Sequence, residues 1–248
     1  MRLLRKTSCT DGNIRWYSKM IFHILTSTEM VTQMKNVVRL NSELSKEERN
    51  LFVAAYKHQI GSRRASWRII TSIIQRDETK NINVHLLPKA KEFQMNIENE
   101  IATIIDDALQ LIDNHILPNS KTIENQVFFL KMQGDYNRYL AELSAQTEAT
   151  NRAQQAYTTA TNLAKTGLTP TNPIRLSLAL SFSVFYYEIL KDTDTSLQIS
   201  RTAFDEAIPL VDSLDEQAFK EAAEIMVFLR DSFSLRVCDD NDDEGDKV

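Results

Sequence analysis

The stretch Ser45-Lys46-Glu47-Glu48-Arg49-Asn50-Leu51-Phe52-Val53-Ala54-Ala55-Tyr56-Lys57-His58-Gln59-Ile60-Gly61-Ser62-Arg63-Arg64-Ala65-Ser66-Trp67-Arg68 decides the fold class. It opens with a capping pattern, in which the Ser45 hydroxyl accepts from the first free amides of a helix and Glu48 reaches back to the Ser45 N–H. Behind it Leu51, Phe52, Ala55, Ile60, Trp67, Ile70, Ile73 and Ile74 recur mostly on three- and four-residue steps, which predicts one long helix to about residue 76. Gly61 weakens that helix without ending it. The polar run from Asp77 to Asn83 predicts its end. Pro88 then starts the next element, in which Phe93, Ile97, Ile101, Ile104, Ile105, Leu109 and Ile112 repeat helically to Leu117-Pro118.

The same punctuation continues along the chain. Helical runs are predicted over 120–145, 148–167, 173–191, 193–213 and 215–237, with two shorter ones over 11–26 and 28–41. Pro209 lies inside one of these patterns and predicts a kink or stop near Ile208, because it lacks a donor and clashes one turn back. The 248 residues include only 5 Gly and 5 Pro, too few for the tight turns of a barrel or sandwich. The expectation is all-α: nine antiparallel helices in one domain over 11–237, with an extension over 1–10 and an acidic, disordered tail over 238–248.

Composition excludes several function classes. No apolar run approaches the ~20 residues of a membrane span, and the segment from Met20 to Leu25 is short and broken by His23. Cys9 and Cys238 sit near opposite ends and suggest neither a disulfide framework nor a zinc site, so a reducing, cytoplasmic setting is expected. His23, His58, His85 and His115 lack ligand spacing, and no nucleophile stands beside a base. The prediction is no metal, no cofactor, no catalysis and no small-molecule substrate.

The net charge of −5 conceals a polarised chain: residues 1–80 hold 15 Lys/Arg and 7 Asp/Glu, the remainder 14 and 27. The basic residues are not interleaved with aromatics, so a nucleic-acid partner is not expected and a local anion site fits better. Lys57 and Arg64, seven residues apart, return to nearly the same azimuth of the long helix, with Arg63 and Arg68 beside them. On another helix, Gly134-Asp135-Tyr136-Asn137-Arg138-Tyr139-Leu140-Ala141-Glu142 sets Arg138 and Glu142 one turn apart, where they can hold each other's geometry. If Arg64 and Arg138 converge, their planar forks, Lys57 and the Tyr139 hydroxyl give a tetrahedral dianion several charge-assisted donors, a phosphate cage. Two stripes can flank it, Leu180, Ser181, Val184 and Glu188 on one helix and Phe228, Ser232 and Leu235 on the last. Their polar members argue against a face turned only to the core. A solvated basic face beside ordinary core stripes is the bland alternative.

Glu47-Glu48-Arg49-Asn50-Leu51, Ala55-Tyr56-Lys57, Gly61 through Arg68, the 134–142 segment, Asn172-Pro173-Ile174-Arg175-Leu176, Phe182 through Leu190, Ala203 through Ile208 and Leu229-Arg230-Asp231 strongly resemble the 14-3-3 proteins. The resemblance covers about 28–236 and is weakest over 77–96 and 143–152. It implies dimeric, cup-shaped bundles of nine helices whose grooves bind phosphoserine and phosphothreonine segments of partner proteins. On the matching positions it implies that Lys57, Arg64, Arg138 and Tyr139 hold the phosphate, with Lys131 near the groove and Asp135 and Glu142 as supporting acids. Leu180, Val184, Phe228 and Leu235 match the apolar wall of the groove, and Glu188 its polar wall.

Departures from the family pattern carry their own expectations. Ser181 and Ser232 stand where the family usually has asparagines whose amides clamp the peptide backbone; a serine is shorter and has fewer donors, so a weaker peptide grip is expected beside an intact dianion site. Phe228 replaces a usual leucine and Arg236 a usual tryptophan. Thr26 and Asn96 stand where a basic partner is common, while Glu29 and Glu100 keep the acids, so intersubunit bridges lose their cations, a small loss for exposed pairs. The apolar Met20, Ile21, Ile24 and Leu25 predict a homodimer of non-standard geometry, with Met20, Ile24, Glu29, Phe93 and Glu100 at its interface. No membrane partner is expected. The alternative function is a helical scaffold that binds unphosphorylated partners or its own tail, Asp239 to Asp246.

Overall fold

The computed structural model describes residues 27–40, 43–143 and 147–243, with side chains from Thr28 to Ser232 within those ranges. Among the described residues every regular element is helical, as the scarcity of Gly and Pro predicts. The chain forms two compact units, Met1–Asn119 and Ser120–Val248.

In the first unit, α1 (Ser27–Val38) and α3 (Leu87–Leu111) pack on the long α2 (Lys46–Lys80). The capping box forms as the sequence predicts: the Glu48 N–H donates to Ser45 Oγ at 3.2 Å and the Ser45 N–H to Glu48 Oε2 at 2.8 Å. The helix does not stop near residue 76 but continues to Lys80. The reason is Asp77, which is buried instead of lying in a solvated loop, and which accepts from Arg76 and, at 3.0 Å, from the Asn83 amide. Asn81 then turns left-handed, with φ 51°, and its N–H closes on the carbonyls of Asp77 and Glu78.

Val31, Met34, Phe52, Tyr56, Ile60, Ile97, Ile101 and Ile105 are buried in this unit. Asp107 ties the three helices, accepting from Lys35 Nζ at 2.6 Å and from the Tyr56 hydroxyl at 2.7 Å. Burial and the neighbouring Asp107 carboxylate push the Tyr56 phenol far above its ordinary value, so it stays a donor. The predicted helix to Leu117 is interrupted: Ile112–Ile116 widens into a π turn before a last helical turn, Leu117–Asn119. Pro118 has no N–H to offer, and Asn119 Nδ2 donates to the His115 carbonyl at 2.7 Å.

The second unit comprises α4 (Ile123–Leu143), α5 (Thr147–Gly167), α6 (Pro173–Phe185), α7 (Thr193–Ala207) and α8 (Glu216–Asp243). Asn172 caps α6, accepting from the N–H groups of Ile174 and Arg175 with Pro173 in the first turn. The stop near Pro209 is present: α7 ends at Ala207 and Ile208–Ser213 is a 3-10 turn. The run read as one helix over 173–191 is α6 followed by a π turn, Tyr186–Leu190, which left-handed Lys191 closes. Neither glycine nor proline lies between 237 and Gly245, and the backbone of α8 continues to Asp243.

Two apolar clusters hold this unit. Val127, Tyr157, Leu178, Phe182 and Phe185 join α4, α5 and α6, with the rings of Tyr157 and Phe182 stacked at 5.3 Å. Leu176, Ala207, Val211, Met226 and Leu229 join α6, α7 and α8. Buried serines add polar contacts here: Ser196 Oγ on α7 donates to the Ser183 carbonyl on α6 at 2.6 Å, and within α7 Ser200 Oγ donates to the Ser196 carbonyl at 3.0 Å.

Candidate functional site

Within the first unit, Lys57 and Arg64 lie on the uninterrupted α2, so their separation along the helix is about 10 Å. Lys57 is exposed and Arg64 half-buried. Ser66, one residue past the next, is exposed and donates to the Ser62 carbonyl at 3.1 Å.

The second unit contributes a denser arrangement. Arg138 on α4 is 9% exposed, its Nη1 donates to Glu188 Oε2 at 3.1 Å, and its guanidinium carbon lies 4.8 Å from the centre of the Tyr139 ring. One turn earlier, Asp135 uses both oxygens: Oδ2 accepts from Lys131 Nζ and Oδ1 from the Tyr157 hydroxyl, each at 2.7 Å. Burial pushes the Asp135 carboxyl up, but Lys131, Arg138 and the Tyr157 hydroxyl outweigh it and hold the group below its ordinary value. Burial likewise disfavours charge on Arg138, and Tyr157, Asp135 and Tyr139 more than offset it, so the guanidinium keeps its proton. Arg138 Nε is buried with no hydrogen-bond partner among the described residues. The result is a cation held charged in a largely buried place.

Lys131, Asp135, Arg138, Tyr139 and Glu188 are thus brought together. The acid found on Arg138 is Glu188, a pairing that the one-turn spacing of Arg138 and Glu142 does not reveal. Glu188 sits in the π turn after α6, and such turns gather at functional sites because the added residue re-aims a side chain. Glu142 and Glu188 line one hollow of about 510 Å³ with Ala141, Thr147, Thr150 and Ile189. Tyr157 is a site residue that sequence reasoning misses, since an aromatic in an alanine-rich amphipathic helix looks like core. Its one sequence trace is Gly134, where a Cβ would lie 2.5 Å from the Tyr157 ring.

Along the flanking stripes, Leu180, Ser181 and Val184 are half-buried on α6, and Phe228 on α8 is 55% exposed. Ser232 is half-buried, and its hydroxyl is directed to the Leu229 carbonyl at 2.9 Å and Ser200 Oγ at 3.3 Å. Leu235 falls within α8, but its side chain lies outside the described residues, as do Met20 and Ile24 entirely. Glu29 and Phe93 are exposed, and Glu100 accepts from Arg63 of its own chain at 2.7 Å. Among the described residues no His/Cys/Asp/Glu group is arranged to hold a metal, and no helix is long and apolar enough to cross a membrane.

The family described as 14-3-3 protein matches residues 18–235. The chain is 47% identical over 222 residues to the 14-3-3-like protein GF14 epsilon of Arabidopsis thaliana, covering 88% of this chain and 87% of that protein. It is 48% identical over 214 residues to Protein BMH2 of Saccharomyces cerevisiae, covering 85% of this chain and 78% of that one. Against 14-3-3 protein 3 of Entamoeba histolytica it is 47% identical over 219 residues, covering 87% and 91%. With its motifs, its helices and relatives of this identity in agreement, the chain belongs to the 14-3-3 family, whose members are non-catalytic adaptors that bind phosphoserine motifs of partner proteins.

Proposed function

We propose that this adaptor seats the phosphate of a phosphoserine or phosphothreonine segment on Lys57, Arg64, Arg138 and Tyr139 and grips the flanking peptide weakly. The observation that carries the reading is Arg138: a buried, permanently charged guanidinium that is backed by Asp135 and Tyr157, lies over the Tyr139 ring and pairs with the exposed Glu188. Lys57 and Arg64 supply the remaining cations from α2. Lys131, Leu180, Ser181, Val184, Glu188, Phe228, Ser232 and Leu235 form the groove for the peptide. The weak grip is supported by Ser232, whose single hydroxyl proton is directed to Leu229 and Ser200 and so is not free for a peptide carbonyl.

The protein acts in the cytoplasm as a homodimer through Met20, Ile24, Glu29, Phe93 and Glu100. Exposed Phe93 and Met95 supply apolar area on α3 for that contact, while Glu100, already engaged by Arg63, adds little. A titration of an arginine-bearing phosphoserine peptide and its unphosphorylated twin tests the function. Binding of the phosphorylated form alone is expected, lost in Lys57→Glu with the helical circular dichroism retained. Equal binding of both peptides would favour the scaffold reading instead.

A further inference from the structure

We infer that Tyr157, seated against Gly134, is a positioning residue for phosphate recognition, fixing the Arg138 guanidinium from behind through Asp135. The inference rests on the phosphoserine reading above and adds a residue from α5 that makes no contact with the peptide groove in that reading.

The Tyr157 ring has one place to lie. It is fully buried, stacked at 5.3 Å on Phe182 and tilted at 5.6 Å from Phe185. On its other side is the backbone of α4 at Gly134, where a methyl group would come within 2.5 to 2.8 Å of three ring carbons. The glycine is therefore required by close approach, not by backbone angle, and the ring delivers its hydroxyl 2.7 Å from Asp135 Oδ1.

That hydroxyl decides what Asp135 does. With Oδ1 accepting from Tyr157 and Oδ2 from Lys131, each carboxylate oxygen is aimed at a partner other than the arginine one turn ahead, which Asp135 attracts without a hydrogen bond. Arg138 instead pairs with exposed Glu188 through Nη1, while the Tyr157 hydroxyl and Asp135 both favour its charge. Removal of the hydroxyl leaves a buried carboxylate oxygen short of a donor, and with Lys131 already engaged the next strong donor on the same helix face is Arg138. The carboxylate then competes for the guanidinium with the incoming dianion. Tyr157 acts on recognition by occupying Asp135, not by touching phosphate.

The test uses the full chain, an arginine-bearing phosphoserine peptide and its unphosphorylated twin, with fluorescence anisotropy and thermal melts. The wild type binding only the phosphorylated peptide upholds the phosphoserine reading; equal binding of both overturns that reading irrespective of any variant. Given that discrimination, Tyr157→Phe is expected to raise the Kd of the phosphopeptide about tenfold with the twin and the melting curve little changed. Asp135→Asn, which removes the competing carboxylate, is expected to stay within about twofold of wild type, and Tyr157→Phe on that background to lose less than a further twofold. An affinity within twofold of wild type in Tyr157→Phe, or the full tenfold loss repeated on the Asp135→Asn background, overturns the inference. If Tyr157→Phe does not fold, Lys131→Met, which frees the other Asp135 oxygen in the same way, decides: a phosphopeptide loss that disappears on the Asp135→Asn background supports the inference, and an unchanged Kd or a loss that persists on that background overturns it.

Discussion

Arg138 and Glu188 are joined by a 3.1 Å hydrogen bond although 50 residues separate them in the chain, and the two partners differ sharply in exposure, the arginine side chain at 11% and the glutamate at 46%. The buried member is fixed and the exposed member is the one a ligand can displace. A dianion approaching Arg138 meets this carboxylate as a competitor and as a like charge. Glu188→Gln is therefore expected to tighten binding of a phosphoserine amide that carries no basic residue by about twofold to fivefold, the scale of a mostly solvated ion pair. Competition against a labelled phosphopeptide measures it, and a weaker variant would count against the placeholder role.

Ser181 and Ser232 give a second expectation. Replacing each by asparagine restores an amide with donor and acceptor where the family usually has one, and a neutral hydrogen bond contributes about 1 kcal/mol. The double substitution should tighten a phosphopeptide by roughly tenfold or more, read by calorimetry. No change in affinity would mean that the serines are not what limits the grip.

Two helix-interior glycines should respond in opposite directions. Around Gly61 no atom lies within 4 Å of an added Cβ, so Gly61→Ala should stabilise α2 by about 0.5–1 kcal/mol. Gly134→Ala forces a methyl into the Tyr157 ring and should destabilise the second unit by about 1–3 kcal/mol, the cost of overpacking. Urea unfolding at one fixed protein concentration compares both with the wild type.

Asp135 sets a pH dependence whose sign follows from its depressed folded value. In the unfolded chain the carboxyl titrates near the usual pH of about 4, so the unfolded state binds more protons there and each unit of acidification lowers stability. The contribution is complete above that value and lost as pH falls through the folded one. The stability gap between wild type and Asp135→Asn should be widest near neutrality, begin to narrow below about pH 4, and close only once pH has passed the depressed folded value and both side chains are neutral. Denaturant midpoints across that range decide, and a gap independent of pH would show that the carboxylate's charge is not what matters.

Local signals in the sequence were strong enough to locate most of the frame. The Ser45 and Glu48 box, Asn172-Pro173, Pro209 and the Lys191-Asp192 break all act within one turn, and each is found where the sequence puts it. What escaped depends on packing. Asp77 reads as loop because it lies in a polar run; its partners Arg76 and Asn83 are near in sequence, but its burial is set by the fold. Both π turns add a residue to a helix without any change in residue type, and one of them carries Glu188, so the pairing with Arg138 has no spacing rule behind it. Tyr157 hides in a core pattern because its function lies in its hydroxyl and its burial lies in its ring.

A crystal structure of the full chain with a phosphoserine peptide bound bears most directly on the central claim. The phosphate oxygens should lie within about 3 Å of the guanidinium nitrogens of both Arg64 and Arg138 and near the Lys57 ammonium. A phosphate held by one of these arginines while the other points elsewhere would contradict it.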